Sequence, residues 1–180
     1  GEEVQLIGAA EAGLIPPDCA VCHPGTHAKW AVVKGYAIQS FRTVMTGEIF
    51  GLLRAHSILS EALQSKVSAG PALDAGMEAG LAAPCLSAEL FGIRARILLG
   101  DLSHEEAASW ASGLLIGADI AFGLQTFNGD GPVAVMGDPQ LTQLYATGIR
   151  RAGRDVFEVD GAQAFVAGSH ILARSLPCPV

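Results

Sequence analysis

Hydrophobic positions follow two different periods along the chain, and the change between them separates two kinds of predicted element. Early in the chain, three short runs rich in β-branched, aromatic and aliphatic residues alternate with turn residues, which is typical of a strand meander. A helix from Glu2 to Ala12 precedes them, with acids in its first turn and Gly13 after its end. The predicted strands are 19–23, 28–34 and 36–44, joined by Pro24-Gly25-Thr26-His27 and by Lys34-Gly35.

From Thr46 onwards the apolar spacing becomes helical. Thr46 and Ser87 are predicted to cap helices, Gly100 to end the second of them, and Ser103 to Glu106 to form a capping box before a long apolar helix. Two further strands then alternate with helices, at Pro132–Met136 and Val156–Val159. Three meander strands followed by crossover units predict an α/β fold, with helices packed on a mixed sheet.

Composition and charge narrow the class of protein. The chain has 180 residues, enough for about one domain, and a net charge of −7, which argues against a nucleic-acid surface. Half of the residues are hydrophobic and 16% are charged, which excludes disorder. Because four cysteines occur with no signal peptide, we expect a reducing, cytoplasmic setting rather than a disulfide framework.

The apolar stretch from Ala107 to Phe127 raises the question of a membrane span. Asp119 lies near its centre, where a carboxylate costs about 3 kcal/mol even on the lenient insertion scale. No basic cluster flanks the stretch. We therefore predict a buried helix of a protein that does not enter a membrane.

The first hairpin, from His23 to Lys29, contains the clearest candidate for a binding site. A glycine turn between strands can direct successive amide N–H groups at one anion, because Gly25 tolerates a positive φ. Thr26 adds a hydroxyl donor and Lys29 a cation, so that the parts needed to hold nucleotide phosphates come together. The alternative is an ordinary hairpin turn with a surface lysine.

Other candidate site residues likewise have both a functional and a structural explanation. Gly137-Asp138-Pro139 follows a buried strand, where α/β proteins bind nucleotides, but Asp138 is equally well explained as an N-cap. Glu2 and Glu3 could provide a general base, hold Mg²⁺ through water, or only complement a helix dipole, and Glu48 poses the same choice.

A zinc site is a weaker interpretation, with no other metal site predicted. The spacing of its four ligands is compatible with zinc. However, positions i and i+3 of a strand face opposite sides of the sheet, and no second ligand pair follows at the spacing of a zinc finger. The four residues are Cys19, Cys22, His23 and His27.

Five segments, in this order, resemble the 2-dehydro-3-deoxygalactonokinase family over nearly the whole chain. They are Gly1-Glu-Glu-Val-Gln-Leu-Ile-Gly8, Pro24-Gly-Thr-His-Ala-Lys-Trp30, Thr43-Val-Met-Thr-Gly-Glu-Ile-Phe50, Ser112-Gly-Leu-Leu-Ile-Gly-Ala-Asp-Ile120 and Val135-Met-Gly-Asp-Pro139. The resemblance implies a ribonuclease-H-like lobe of the sugar kinase, heat-shock protein 70 and actin superfamily. It also implies ATP and Mg²⁺ as cofactors and galactonate catabolism as the setting.

The resemblance also implies roles for individual residues. Gly25, Thr26, His27 and Lys29 match the phosphate-binding hairpin, and Gly137 matches the adenosine turn, where Asp138 departs from the usual paired glycines. Glu3 or Glu2 would act as the catalytic base, and Thr46 and Glu48 would contact the sugar acid or order the hairpin.

An Asp-x-Gly-Thr hairpin that opens such kinases does not occur in this sequence. We therefore expect residues 1–18 to be a linker helix from a missing first lobe and 19–180 to be the carboxy-terminal lobe. The implied activity is ATP-dependent phosphorylation of 2-dehydro-3-deoxy-D-galactonate at its 6-hydroxyl, with this chain inactive alone and inclined to self-associate. The alternative is a non-enzymatic actin-like nucleotide-binding or assembly module.

Overall fold

Strands and helices follow the predicted order in the computed structural model, which describes residues 2–127 and 129–175. The strands are β1 Cys19–His23, β2 Ala28–Lys34, β3 Ala37–Val44, β4 Val133–Gly137 and β5 Val156–Asp160. The helices are α1 Glu2–Glu11, α2 Thr46–His56, α3 Pro71–Ala82, α4 Leu86–Leu99, α5 His104–Thr126, α6 Pro139–Arg151 and α7 Gly161–Ser175.

The chain divides into two units, each with its own core. The sheet unit contains residues 2–43 and 129–175, and the helical unit contains residues 44–127. Helices α1, α6 and α7 belong to the sheet unit, and α2 to α5 form the helical unit. The role of residues 1–18 as a linker stays a prediction; α1 itself buries Leu6 and Ala9 in the core of the sheet unit.

The sheet is mixed, as its sequence pattern predicts, and its strand order is β3-β2-β1-β4-β5. Strand β1 pairs with β2 in antiparallel and with β4 in parallel, and β4 pairs with β5 in parallel. The four residues from Val133 to Met136 are completely buried, because β4 lies between two other strands and contacts helices α6 and α7. This α/β arrangement confirms the predicted fold class.

The turn between β2 and β3 has a local cause. Gly35 and Tyr36 have φ values of 55° and 64°, the left-handed pair that a two-residue type I′ hairpin requires. The Asp18 carboxylate accepts a hydrogen bond of 2.9 Å from the Gly35 N–H. Glycine at position 35 therefore reflects hairpin geometry.

Helices α3 and α5 pack backbone against backbone in the helical unit. A Cβ added at Gly113 would lie 2.1 Å from the Leu73 carbonyl oxygen, and one at Gly117 would lie 2.2 Å from that of Met77. Reciprocally, a Cβ at Gly76 would lie 2.1 Å from the Trp110 carbonyl oxygen. The two helices approach this closely only because glycine occupies the contact positions.

Helix α5 is long and apolar enough, by length and composition, to cross a membrane, but most of it is buried in the helical unit. Leu114 and Ala111 contribute to the core there, and Asp119 is only 3% exposed. The structure therefore shows α5 as a core helix, which agrees with the sequence analysis.

Two predicted helix caps are wrong. Met45, and not Thr46, is the N-cap of α2, because Thr46 lies in the first turn and its hydroxyl donates to the Asp119 carboxyl at 2.7 Å. Cys85, and not Ser87, is the N-cap of α4, which begins one residue before Ser87. The predicted capping box from Ser103 to Glu106 and the left-handed Gly100 after α4 are confirmed.

Because α3 and α5 pack so closely, a glycine-to-alanine change at their contact should lower the free energy of unfolding, whereas the same change in an open helix raises it. Alanine is favoured over glycine by about 1 kcal/mol in an open helix, but at Gly117 the new methyl would clash with backbone. We expect Gly117→Ala to lower the free energy of unfolding by about 2 kcal/mol or more, as measured by urea denaturation.

The matched control is Gly51→Ala in α2, where an added Cβ meets nothing within 4 Å. This variant should be neutral or slightly more stable. A Gly117→Ala protein as stable as Gly51→Ala would contradict the close approach of α3 and α5.

Candidate functional site

Three parallel strands end at one edge of the sheet, and each is followed by a turn with polar or glycine residues. Strand β1 leads into the turn 24–27, β4 into Gly137-Asp138, and β5 into Asp160-Gly161. In the register, Gly137 lies opposite Asp160, and Cys22 lies opposite Val135. The carboxyl ends of parallel strands are where α/β proteins bind their ligands.

The turn 24–27 is accessible. Thr26 and His27 are exposed, and Gly25 is partly exposed. A Cβ added at Gly25 would meet nothing within 4 Å. The space beside the Gly25 backbone is therefore open, which a close ligand would require.

Gly25 does not adopt the positive φ that glycine tolerates. The glycines with positive φ in the described residues include Gly137 at 145°, and Gly25 is not among them. The hairpin turn needs no left-handed residue at position 25, so conformation alone does not explain glycine there. Gly137 does require glycine, because an L side chain rarely adopts its φ.

Gly137 also lies against the hairpin. A Cβ added there would be 3.4 Å from Cε1 of His23 and 3.5 Å from the Pro24 carbonyl oxygen. The Asp138 side chain accepts hydrogen bonds from the N–H groups of Gln140 and Leu141, at 3.0 and 3.1 Å. Asp138 is therefore the N-cap of α6, and its proposed contact with the nucleotide stays a prediction.

Asp160 and Gly161 repeat this arrangement after β5, and sequence reasoning missed them. Asp160 caps α7 by accepting hydrogen bonds from the N–H groups of Ala162 and Gln163 at 2.8 and 3.2 Å. A Cβ at Gly161 would lie 3.1 Å from Nε2 of Gln5. The signal in the sequence was a second strand ending in Asp and Gly.

Gln5 joins two strand ends, and it was also missed. Its Nε2 donates to the Gly161 carbonyl at 2.9 Å, so its oxygen faces His23, whose Nε2 lies 2.6 Å away. His23 Nε2 therefore carries the hydrogen and donates it. Burial lowers the pKa of His23 below its ordinary value, although the nearby Glu2 carboxylate acts in the opposite direction.

Glu2 and Lys29 form an ion pair with Nζ and Oε1 2.7 Å apart. The hydrogen bond from Lys29 is the main reason why the pKa of Glu2 falls to about 2. The Glu3 side chain is exposed on the same helical turn. A carboxylate with a pKa near 2 is a weak proton acceptor at neutral pH, which weakens the case for Glu2 as a general base.

Thr46 and Glu48 belong to the helical unit. Thr46 and Asp119 line a cavity of about 160 Å³ with Val44, Ile49 and other apolar residues. Glu48 lies in the first turn of α2 and is partly exposed. Sequence reasoning did not pair Thr46 with Asp119, which is 73 residues away.

The geometry of the cysteines gives the zinc interpretation no support. Cys19 donates to the Pro16 carbonyl at 3.4 Å, and burial raises its pKa to about 11. His23 Nε2 is engaged by Gln5. No group of three or more His, Cys, Asp or Glu side chains that could hold a metal occurs in the part of the chain that the structure describes.

The family model and the relatives that match this chain are described by the same activity. A family model described as 2-keto-3-deoxy-galactonokinase matches residues 1–172. The 2-dehydro-3-deoxygalactonokinase of Escherichia coli (strain K12) is 37% identical over 98% of the chain. A Rhizobium meliloti (strain 1021) relative assigned the same activity is 35% identical over 98% of the chain.

A solved structure agrees with these relatives. A Sinorhizobium meliloti protein, described as a candidate 2-dehydro-3-deoxygalactonokinase, covers the whole chain with a TM-score of 0.87 and 36% identity. The chain spans 59% of the length of that protein and of the Escherichia coli relative, and 58% of the Rhizobium meliloti one.

The burial of His23 predicts a pH dependence of stability. Because its pKa lies below 6.5 in the folded chain, the unfolded chain binds more protons between the lowered pKa and 6.5. The free energy of unfolding should therefore fall as the pH drops below 6.5. We expect His23→Gln to lose part of this fall, as measured by urea denaturation at pH 7.5 and 5.5.

His170→Gln is the matched control, because His170 is exposed on α7. It should keep the pH dependence of the unmodified chain. Identical pH dependence in His23→Gln and the unmodified chain would show that His23 does not titrate on unfolding.

Proposed function

Because the chain belongs to the 2-keto-3-deoxy-galactonokinase family, we propose that it forms the second lobe of an ATP-dependent sugar-acid kinase. The reaction would transfer the γ-phosphoryl group of ATP to the 6-hydroxyl of 2-dehydro-3-deoxy-D-galactonate. The chain is shorter than its relatives, so this activity is proposed for the protein as its gene encodes it. By the same reasoning, the 180-residue chain alone is proposed to be inactive.

The observation that carries the proposal is the exposed turn 24–27 beside Gly137 at the carboxyl edge of the sheet. Phosphoryl transfer depends mainly on positioning and charge neutralisation. An open turn with a glycine and a threonine can supply backbone N–H groups and a hydroxyl to phosphate oxygens. In the proposed complex Gly25, Thr26 and His27 face the phosphates, and Gly137 and Asp138 lie on the adenosine side.

We assign Lys29 a different role from the direct phosphate binding that its positive charge suggests. Its side chain is only 14% exposed, and its ammonium group is paired with Glu2 at 2.7 Å. In the proposed kinase Lys29 reinforces the phosphate site from beneath and fixes the start of α1 through Glu2. It therefore acts on the phosphates less directly than Thr26.

Glu3 is the better candidate for the general base. A base that accepts the hydroxyl proton works best with a pKa near the working pH, and Lys29 holds the pKa of Glu2 at about 2. We therefore assign proton acceptance to Glu3 and positioning to Glu2. Thr46 and Glu48 remain the proposed contacts to the sugar acid.

Kinases of this type use Mg²⁺ with ATP to neutralise phosphate charge. Within the described residues no cluster of three or more acidic, His or Cys side chains could enclose such an ion. These residues do not form a complete Mg²⁺ site, and none of the steps proposed here passes through one.

The hairpin is tested by two small substitutions. Thr26→Val removes a hydroxyl of an exposed side chain, and Gly25→Ala adds a methyl where the free protein has open space. Both variants should fold normally and lose at least about tenfold in kcat/KM for ATP, because each removes or obstructs a contact worth about 1.4 kcal/mol or more. The measurement is a steady-state ADP-release assay of the protein as its gene encodes it, with 2-dehydro-3-deoxygalactonate as the acceptor.

Two variants control for the chemical change alone. Thr126→Val alters an exposed threonine at the end of α5, and Gly51→Ala adds a methyl in open space on α2. Both should retain full activity. Full activity of Thr26→Val and Gly25→Ala would remove the hairpin from the mechanism, and the absence of ADP release with any 2-keto-3-deoxy sugar acid would favour the non-enzymatic module.

The roles of Glu2 and Glu3 can be distinguished by the kinetics of their variants. Glu3→Gln should lower kcat by about 10² or more, the range expected for loss of a general base. Glu2→Gln should have a smaller effect, and Glu2→Gln combined with Lys29→Met should cost less than the sum of the two single losses, because partners in one ion pair act as a unit. A larger loss of kcat in Glu2→Gln than in Glu3→Gln would reverse the assignment.

A further inference from the structure

Two polar side chains line an otherwise apolar cavity in the helical unit. The cavity has a volume of about 160 Å³, and its polar lining residues are Thr46, in the first turn of α2, and Asp119, in α5. Its apolar lining residues are Val44, Ile49, Leu86, Leu115, Ala118 and Phe122. All of these apolar residues except Leu115 are at least partly exposed, so a ligand can reach the cavity from solvent.

The hydrogen bond between Thr46 and Asp119 determines what the cavity can bind. The two residues are only 6% and 3% exposed, and the Thr46 hydroxyl donates to Oδ2 of Asp119 at 2.7 Å. A hydroxyl has one hydrogen to donate, and an ionised carboxylate has none. Because that hydrogen is committed to Asp119, both residues can offer a ligand only acceptor oxygens.

A ligand group that binds to two acceptors must itself be a donor. In a sugar acid the hydroxyl groups can donate, whereas the carboxylate and ketone oxygens can only accept. A ligand carboxylate would also be repelled by the charge of Asp119, and more strongly in apolar surroundings than in water. The cavity is therefore suited to the hydroxyl-bearing part of such a molecule.

We propose that Thr46 and Asp119 bind the 4-hydroxyl of 2-dehydro-3-deoxy-D-galactonate, so that Asp119 is a specificity-determining residue. This proposal rests on the proposed kinase function. The 4-hydroxyl fits because its neighbour C3 is a methylene, and a donor beside an apolar carbon matches an acceptor pair beside Leu115 and Ala118. The 5-hydroxyl has oxygen-bearing carbons on both sides, and the 6-hydroxyl receives the phosphoryl group.

A purely structural role is the alternative, in which the hydrogen bond only connects α2 to α5. Loss of the bond would then affect all substrates equally. The two explanations differ for the C4 epimer of the sugar acid, 2-dehydro-3-deoxy-D-gluconate. In this epimer the 4-hydroxyl points in the other direction, and every other group is the same.

The test compares the two epimers in a steady-state ADP-release assay of the protein as its gene encodes it. The unmodified protein should have the higher kcat/KM with the galactonate epimer. This preference should fall at least about tenfold in Thr46→Val, which removes the acceptor, and in Asp119→Asn, which replaces one acceptor oxygen by a donor amide. Thr46→Ser keeps the hydroxyl and should keep the preference.

Two features of the assay separate binding from folding, because both positions are buried. The epimers are assayed on the same molecules, so the ratio of their kcat/KM values does not depend on the fraction that folds. The second feature is the KM for ATP, which should change little in all three variants. Thr142→Val is the matched control, since Thr142 is a buried threonine of α6 in the sheet unit, and it should leave the preference unchanged.

A fourth variant tests the cavity without changing the buried pair. Ala118→Leu adds bulk to the cavity lining at a partly exposed position of α5. It should raise the KM for the galactonate epimer at least about fivefold and leave the KM for ATP unchanged, because it obstructs only the sugar-acid site. An unchanged KM for the sugar acid would show that the substrate does not enter the cavity.

The outcomes distinguish this proposal from the function on which it rests. If the unmodified protein releases ADP with neither epimer, the kinase function fails and this proposal fails with it. If the protein is active but has no preference, or if Thr46→Val and Asp119→Asn keep the preference, only this proposal is overturned. Loss of the preference in Thr46→Ser would also overturn it, because that variant retains the hydroxyl.

Discussion

The parallel pairing of β4 with both β1 and β5 is the constraint on which the rest of the sheet unit depends. It places three strand ends at one edge, so that residues far apart in sequence become neighbours. Gly137 can lie against His23 and the Pro24 carbonyl only because β1 and β4 run in the same direction. An antiparallel β4 would leave Gly137 at the opposite edge from the turn 24–27.

Helix α1 contacts this edge of the sheet through polar side chains and packs closely against α7. Gln5 hydrogen-bonds to both His23 and Gly161, and the ion pair of Glu2 with Lys29 adds a contact to β2. Further along the helix, a Cβ at Gly8 would lie 2.0 Å from the Ala164 carbonyl oxygen. The same helix thus fills the core with one face and presents acids beside the hairpin with its first turn.

Local sequence signals predicted the strands, the turns and the order of elements, because β-branched runs and turn residues act over a few positions. They failed where a distant partner decides the outcome. Thr46 does not cap α2 because Asp119 accepts its hydroxyl hydrogen, and Gln5 meets Gly161 across 156 positions. The hairpin was predicted from the sequence, and Glu2 and Glu3 were named as candidates, but the ion pair of Glu2 with Lys29 was not predicted. The family itself was found by resemblance and not by periodicity or charge.

The electrostatics of this edge limit how it can hold an anion. Asp138 and Asp160 cap α6 and α7, so carboxylates already occupy the helix N-termini that would otherwise attract phosphate. Lys29 is likewise offset by Glu2. In the proposed kinase, the turn 24–27 therefore holds phosphate through hydrogen bonds rather than net positive charge. The charge that phosphoryl transfer requires must then come from the metal ion that accompanies ATP or from residues outside those described here. Such an edge would orient a nucleotide without binding it tightly, which is why the chain alone is proposed to be a positioning surface and not a complete catalyst.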